Sequence, residues 1–224
     1  MYDIPIQLNW LEDEIQKYEQ QPVETGRILF YGHSLFTRWS MKKFTERTLE
    51  EMIPGKDGKP ACLNHGFGTS TSEELLYYYD RMVRPYKPRA LVIMTWANDG
   101  MYGYSPERTM ANIVKLCHWA KMDFPGIPIF LVAPHPRGKY KEQPSKKHTR
   151  RDDAFSLLLE AYAKTAEGVR LITMMDKPMF YETPDDVGDL TKIRWEIYSD
   201  SVHLNGKGYE LFKDIFMEEL DEYL

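Results

Sequence analysis

Short unbroken apolar runs, alternating with amphipathic stretches, constrain the fold of this 224-residue chain more than any other feature. Ile28 to Tyr31, Ala90 to Thr95, Ile127 to Ala133 and Val169 to Met174 each have the length and composition of a strand buried on both faces. Pro60 to Leu63 adds a shorter run that ends at Asn64-His65-Gly66. Helical spacing lies between them. Ile6, Leu8, Trp10, Leu11, Ile15 and Tyr18 mark a first helix over residues 6–20, broken by Pro22 to Gly26. A second is expected after Ser34, with Phe36, Trp39 and Phe44 among its apolar positions, and a third from Ser72, read as its N-cap, to Met82. Ser105-Pro106 opens a helix running to about Met122, Ala154 to Glu167 forms one closed by Gly168, and Gly206 to Tyr223 is the last. Buried strands separated by helices are joined by crossovers, which makes the sheet parallel and covers both its faces. The expectation is therefore an α/β protein, a three-layer α/β/α sandwich around a five-stranded parallel sheet. No repeat and no Gly/Ser-rich linker interrupts it, so residues 1–224 read as a single domain, with residues 1–22 as an N-terminal helix packed on it.

Charge and composition exclude several function classes. With 34 acidic against 29 basic residues and a formal net charge of -5, the chain lacks the basic footprint of a general nucleic-acid binder. No apolar run approaches the ~20 residues that cross a bilayer. The N-terminal segment is acidic and has no apolar signal core, so the sequence reads as cytoplasmic. Cys62 and Cys117 lie in apolar surroundings and read as two buried free thiols. His65, His118, His135 and His148 show no paired ligand spacing, and Gly66-Phe67-Gly68 lacks the longer phosphate-loop pattern. Neither a metal nor a cofactor is expected.

In an open parallel sheet the functional crevice lies beyond the carboxyl ends of the strands. Reading those ends in order gives Gly32-His33-Ser34, then Asn64 and Gly66, then Asn98 and Asp99. The loop before the last helix adds Asp200-Ser201-Val202-His203. These are the residue types that acyl transfer needs. Ser34 can attack a carbonyl, His203 can take its proton, and Asp200 can orient the imidazole and stabilise its charged form. Donors for the oxyanion can come from the backbone N–H of Ser34, the N–H of Gly66 and the side-chain amide of Asn98. Each residue taken alone has an ordinary structural reading: Ser34 as a turn or N-cap residue, Asn64 and Asn98 as turn formers, Gly66 for backbone freedom, Asp200 as a cap. Their ordered convergence on one crevice is what points to acyl transfer.

Four blocks thus follow one another: Gly32-His33-Ser34-Leu35, Asn64-His65-Gly66-Phe67-Gly68-Thr69-Ser70-Thr71, Ala97-Asn98-Asp99 and Asp200-Ser201-Val202-His203. In this order and spacing the chain resembles the GDSL, or SGNH, hydrolase family of serine esterases. The resemblance implies the SGNH-hydrolase fold, which is flavodoxin-like, with Ser34 as nucleophile, His203 as base and Asp200 as its partner. Ser34, Gly66 and Asn98 would form the oxyanion hole. There are two departures from the family pattern. His33 stands where an Asp usually precedes the nucleophile, and it is expected to support the turn with one ring nitrogen as donor. Trp96-Ala97 stands before the Asn-Asp pair in place of the usual glycine-containing pair.

The implied activity is hydrolysis of a small acyl ester, acetyl foremost, with an acetylated carbohydrate as candidate substrate. A thioesterase or lysophospholipase on the same triad, and a non-catalytic binding protein retaining the fold, are the competing readings. Trp96 reads either as narrowing the acyl pocket or as core, Tyr102 with Tyr104 as a platform for a sugar ring, and His135 either as a residue near the site mouth or as a solvated loop histidine. Arg137, Lys139, Lys141, Lys146, Lys147, Arg150 and Arg151 oppose a single acid, Glu142, in the stretch after the fourth strand. That stretch reads either as a substrate-gating loop favouring anionic ligands or as a solvated loop. The expected partner is a small-molecule ester, without nucleic acid or membrane.

Overall fold

The structure, a computed structural model, describes residues 8–137 and 146–224, with side chains from residue 151 in the second stretch. Five parallel strands form one sheet: β1 (Ile28–Gly32), β2 (Cys62–Gly66), β3 (Ala90–Met94), β4 (Ile129–Val132) and β5 (Val169–Ile172), in the order β2-β1-β3-β4-β5. This is the doubly wound, flavodoxin-like order. The helices are α1 (Glu12–Glu19), α2 (Ser34–Trp39), α3 (Leu49–Met52), α4 (Ser72–Met82), α5 (Ala97–Met101), α6 (Pro106–Asp123), α7 (Lys146–Thr165) and α8 (Gly206–Glu219).

The side-chain alternation of each strand divides the core in two. Ile28, Phe30, Ala90, Val92 and Phe130 face one layer, built from α2, α3 and α8 through Trp39, Leu49, Phe212 and Phe216. Leu29, Tyr31, Leu91, Ile93 and Leu131 face the other, built from α4, α6 and α7, and on it Leu11 and Ile15 seat the N-terminal helix. Cys62 and Cys117, both free and buried, belong to opposite layers. Among the described residues no helix is long and apolar enough to cross a membrane.

The expected elements occur with three instructive shifts. Strand β2 continues through Asn64 and His65 to Gly66, past the end of its apolar run. Both polar side chains are buried, and both have committed partners. Asn64 Nδ2 donates to the Phe36 carbonyl (2.6 Å) and to Ser40 Oγ (2.8 Å), while His65 Nδ1 donates to the Met82 carbonyl (2.7 Å). A buried polar residue with its hydrogen bonds satisfied is compatible with a strand. Asn64 is thus no turn former. Helix α4 is capped by Thr71, not Ser72, because Glu74 sits three residues beyond Thr71 and closes a capping box with it. That frees the Ser72 hydroxyl to bond the buried carboxylate of Asp99. Helix α2 stops at Trp39, which leaves Phe44 outside it, with the Arg38 guanidinium 4.5 Å above its ring.

Candidate active site

The chain passes from β1 to β2 on one side and returns to β3 on the other, so the topological switch point lies between β1 and β3. Doubly wound sheets open a crevice at such a point. A cavity of about 820 Å³ lies there, and Ser34, His203, Asn98, Gly68, Thr69 and Trp96 are in its wall.

Ser34 is the first residue of α2, set on the turn that leaves β1. Its Oγ lies 2.8 Å from His203 Nε2. On the far side of the imidazole, Nδ1 is 2.9 Å from each carboxylate oxygen of Asp200. A carboxylate only accepts, so Nδ1 carries the proton and Nε2 presents its lone pair to the serine hydroxyl. The loop is held by its own backbone. Asp200 Oδ1 accepts the N–H groups of Val202 (2.9 Å) and His203 (2.8 Å), and Asn205 caps α8 immediately afterwards. Burial alone would raise the Asp200 carboxyl. The N–H groups of His203 and Val202, the His203 ring and the Arg38 guanidinium outweigh it and hold the group well below the usual carboxylate range. Burial lowers the His203 pKa below its ordinary value, against the opposing pull of Asp200. The imidazole is therefore neutral at pH 7, the state in which it can accept a proton.

Arg38 is a site residue that sequence reasoning missed. It lies one helical turn beyond Ser34, and its Nη1 donates to Asp200 Oδ2 at 2.7 Å, joining the helix of the serine to the loop of the histidine. The i, i+4 spacing from Ser34 was the available signal, since it places both side chains on one face of α2.

His33 takes over the turn support with its ring reversed relative to expectation: Nδ1 accepts the Leu35 N–H (3.4 Å) and does not donate. An acceptor here does the job that a capping carboxylate would do. Burial, with His135, His203 and Arg137 nearby, pushes its pKa down to about 3, so it stays neutral.

Four expected contributors are placed differently. Gly66 does not face the cavity: its N–H donates to Asn64 Oδ1 (3.0 Å), and its carbonyl accepts the Tyr18 hydroxyl. The glycine is required by packing, because a Cβ there would sit 2.5 Å from both Phe36 Cβ and Thr37 N of α2. The cavity wall contributed by this block is Gly68 and Thr69, and Thr69 adopts a positive φ of 64°, rare for a β-branched residue. His135 is buried behind the site, its Nε2 donating to the Val202 carbonyl (3.0 Å), so it braces the histidine loop and does not lie at the mouth. Tyr102 is absent from the cavity wall, where Gly100, Met101 and Gly103 stand in its neighbourhood. Tyr104 is buried with its hydroxyl on Glu73 and the Arg108 guanidinium over its ring.

Trp96 does line the cavity, at a positive φ of 118°, stacked on Phe155 with ring centroids 4.7 Å apart and with its indole N–H on Asp152. Asn98 also lines it. Its Nδ2 donates one hydrogen to the Ser70 carbonyl (2.8 Å), which leaves the second amide hydrogen available. Asp99 is fully buried and accepts from Ser72, Thr95 and Thr109, fixing α5 below the site. Of the basic stretch, residues 138–145 and the side chains of 146–150, including Lys139, Lys141, Lys146, Lys147 and Arg150, lie outside the described residues. Arg137 and Arg151 belong to the cavity wall.

The buried histidines carry a pH prediction. Burial depresses His33 to about 3, and His65 and His135 each to about 4, from 6.5. Below pH 6.5 the unfolded chain takes up protons that the folded protein refuses, so stability is full above that pH and is lost as pH falls toward 4. The loss at pH 5 is about 2 kcal/mol per histidine. Urea unfolding midpoints should drop between pH 7 and pH 5, and a constant midpoint would contradict neutral burial of these rings.

Similarity to known proteins agrees with this fold. The model of the GDSL-like lipase/acylhydrolase family matches residues 30–211. None of the curated proteins matches the sequence. Among solved structures, a GDSL-like lipase from Bacteroides thetaiotaomicron superposes with a TM-score of 0.71 at 18% identity, covering 97% of this chain and 100% of its own. An acetyl-xylooligosaccharide esterase from Geobacillus gives 0.63 at 15% identity, covering 89% of this chain and 96% of its own. TesA gives 0.65 at 18% identity, covering 88% and 99%. With the family match running from β1 into α8, across every block of the crevice, the chain belongs to the GDSL-like lipase/acylhydrolase family of serine hydrolases.

Proposed function

We propose that this protein is a serine esterase that removes small acyl groups, acetyl foremost, from a carbohydrate-like alcohol through an acyl-Ser34 intermediate. The observation that carries the reading is the continuous relay from Ser34 Oγ to His203 Nε2 (2.8 Å) and from His203 Nδ1 to Asp200 (2.9 Å). Ser34 Oγ attacks the ester carbonyl carbon while His203 Nε2 takes the hydroxyl proton. The carbonyl π pair moves to oxygen, and Asp200 stabilises the imidazolium. The oxyanion is met by the Ser34 N–H, by the second amide hydrogen of Asn98 and by backbone N–H groups of the Gly68–Thr69 turn, which replaces Gly66 in this role. Collapse of the intermediate expels the alkoxide, which leaves with the proton from His203. Water, deprotonated by the same nitrogen, then attacks the acyl-serine and releases the acid.

Two points favour a short acyl chain on a bulky alcohol. The cavity of about 820 Å³ has room for a group far larger than an acetyl, which suits a sugar-sized alcohol. A fold neighbour is an acetyl-xylooligosaccharide esterase. The test is a panel of acetylated sugars, 4-nitrophenyl acetate and octanoate, and acyl thioesters, with fluorophosphonate labelling alongside. The acetate should exceed the octanoate in kcat/KM by roughly tenfold or more. Preference for octanoate or for a thioester would move the assignment to longer acyl groups or to thioester chemistry. Absence of labelling at neutral pH would make the protein a binder.

A further inference from the structure

The cavity wall carries a charge pattern opposite to that of the chain. In a protein of net charge -5, the crevice is lined by three guanidinium groups, Arg38, Arg137 and Arg151, and by one carboxylate, Asp152. Arg38 is engaged by Asp200, and Arg137 by Asp152. Arg151 is different. Its Nη1 donates to the Gly100 carbonyl (3.1 Å) and its Nη2 to the Tyr104 carbonyl (2.5 Å), both neutral acceptors on the segment that follows Asn98. Its guanidinium also lies 5.7 Å from the centroid of the Trp96 ring. Among the described residues no carboxylate forms an ion pair with it.

A guanidinium has five N–H donors, and two of these are committed to the carbonyls. Those two bonds, with the indole face, fix its plane without neutralising it. A cation held in this way, in a cavity wall shared with the nucleophile, is pre-organised for a planar or tetrahedral oxygen anion. Surface lysines would be screened and mobile, whereas this group sits in a partly enclosed crevice where its field is weakened less by solvent.

We infer that the substrate carries an anionic oxygen group, carboxylate or phosphate, which Arg151 binds while the ester carbonyl sits at Ser34. The inference rests on the esterase reading above and narrows it from carbohydrate esters to acidic ones. Of the two described basic side chains in the stretch over residues 137–151, it gives Arg151 a defined partner chemistry, Arg137 being paired with Asp152.

The test compares substrates that share the acetyl ester and differ in charge, acetylated glucuronate against its neutral methyl ester, with acetylated glucose 6-phosphate as a third arm and acetate release as the readout. For the wild-type enzyme, kcat/KM should be at least tenfold higher for one of the anionic substrates than for the neutral methyl ester, and the advantage should shrink as salt is raised. The arm that wins distinguishes carboxylate from phosphate. Arg151→Gln should collapse the ratio of anionic to neutral substrate toward one, and Arg151→Lys should keep part of it. Equal loss on charged and neutral substrates in Arg151→Gln would mark a structural role and overturn the inference. So would a salt-independent ratio near one in the wild type, a measurement that needs no variant. Hydrolysis of 4-nitrophenyl acetate by the wild type reports on the esterase reading separately, so the subsite can fail while that reading stands.

Discussion

Ser34→Ala is expected to lower kcat/KM for 4-nitrophenyl acetate by about 10⁴ to 10⁶-fold and to abolish fluorophosphonate labelling. His203→Ala should lose about as much. The double variant should be no worse than either single one, because the two groups act as a unit in which each is useless without the other. The physical reason is the 2.8 Å contact: without Nε2 the serine proton has no acceptor in reach, and without Oγ the base has nothing to deprotonate. Residual activity would then come from the oxyanion donors and from binding, which neither substitution touches. Folding should be little affected. Ser34 opens a helix at the crevice edge, and His203 is 17% exposed with its loop held by Asp200. Unfolding curves of all three variants should overlay that of the wild type. Additive losses in the double variant, or His203→Ala within tenfold of the wild type, would dismiss the relay.

Asp200→Asn should cost about 10³ to 10⁴-fold in kcat with KM changed only a few-fold. The carboxylate accepts four hydrogen bonds: from the Val202 and His203 N–H groups, from His203 Nδ1, and from Arg38. An amide cannot meet all of them. With its NH₂ toward Arg38, donor faces donor; turned the other way, the NH₂ faces two backbone N–H groups and the imidazole. The imidazole then loses its bias toward the Nδ1–H tautomer, and the alternative tautomer turns an N–H toward Ser34 instead of a lone pair. The lower end of the range applies, because the Asp200 side chain is 43% exposed and water can partly replace it. A kcat within tenfold of the wild type would show that Asp200 anchors the loop and nothing more.

How far the site was legible follows from the direction of each group. Ser34, Asp200 and His203 were readable because their positions at a strand end and before the last helix follow from chain order. Of the expected oxyanion donors, Ser34 and Asn98 do line the cavity, and Gly66 does not. Gly66 and Thr69 sit three residues apart in the same block, and only the packing of β2 against α2 turns the Gly66 N–H inward to Asn64. His33 was recognisable as a turn support, but not which ring nitrogen would serve, since that depends on where the Leu35 N–H points. His135 and Tyr102, expected at the cavity, stand outside its wall for a related reason. A residue beyond a strand end can face the crevice or brace the loop behind it, and local sequence is the same in both cases.

The sequence by itself determined the layered architecture. Apolar runs too short for helices and too uniformly buried for an antiparallel sheet leave little but a parallel sheet with helices on both faces. It also determined that a serine and an Asp/His pair would end at one rim of that sheet. The tertiary structure alone decided that the Gly66 N–H turns to Asn64, that Arg38 closes onto Asp200, and that Arg151 stands in the wall with no carboxylate partner among the described residues. Periodicity is a property of one segment and survives in the sequence. The aim of a hydrogen-bond donor depends on the register and packing of segments far apart in the chain, and it exists only once they have met.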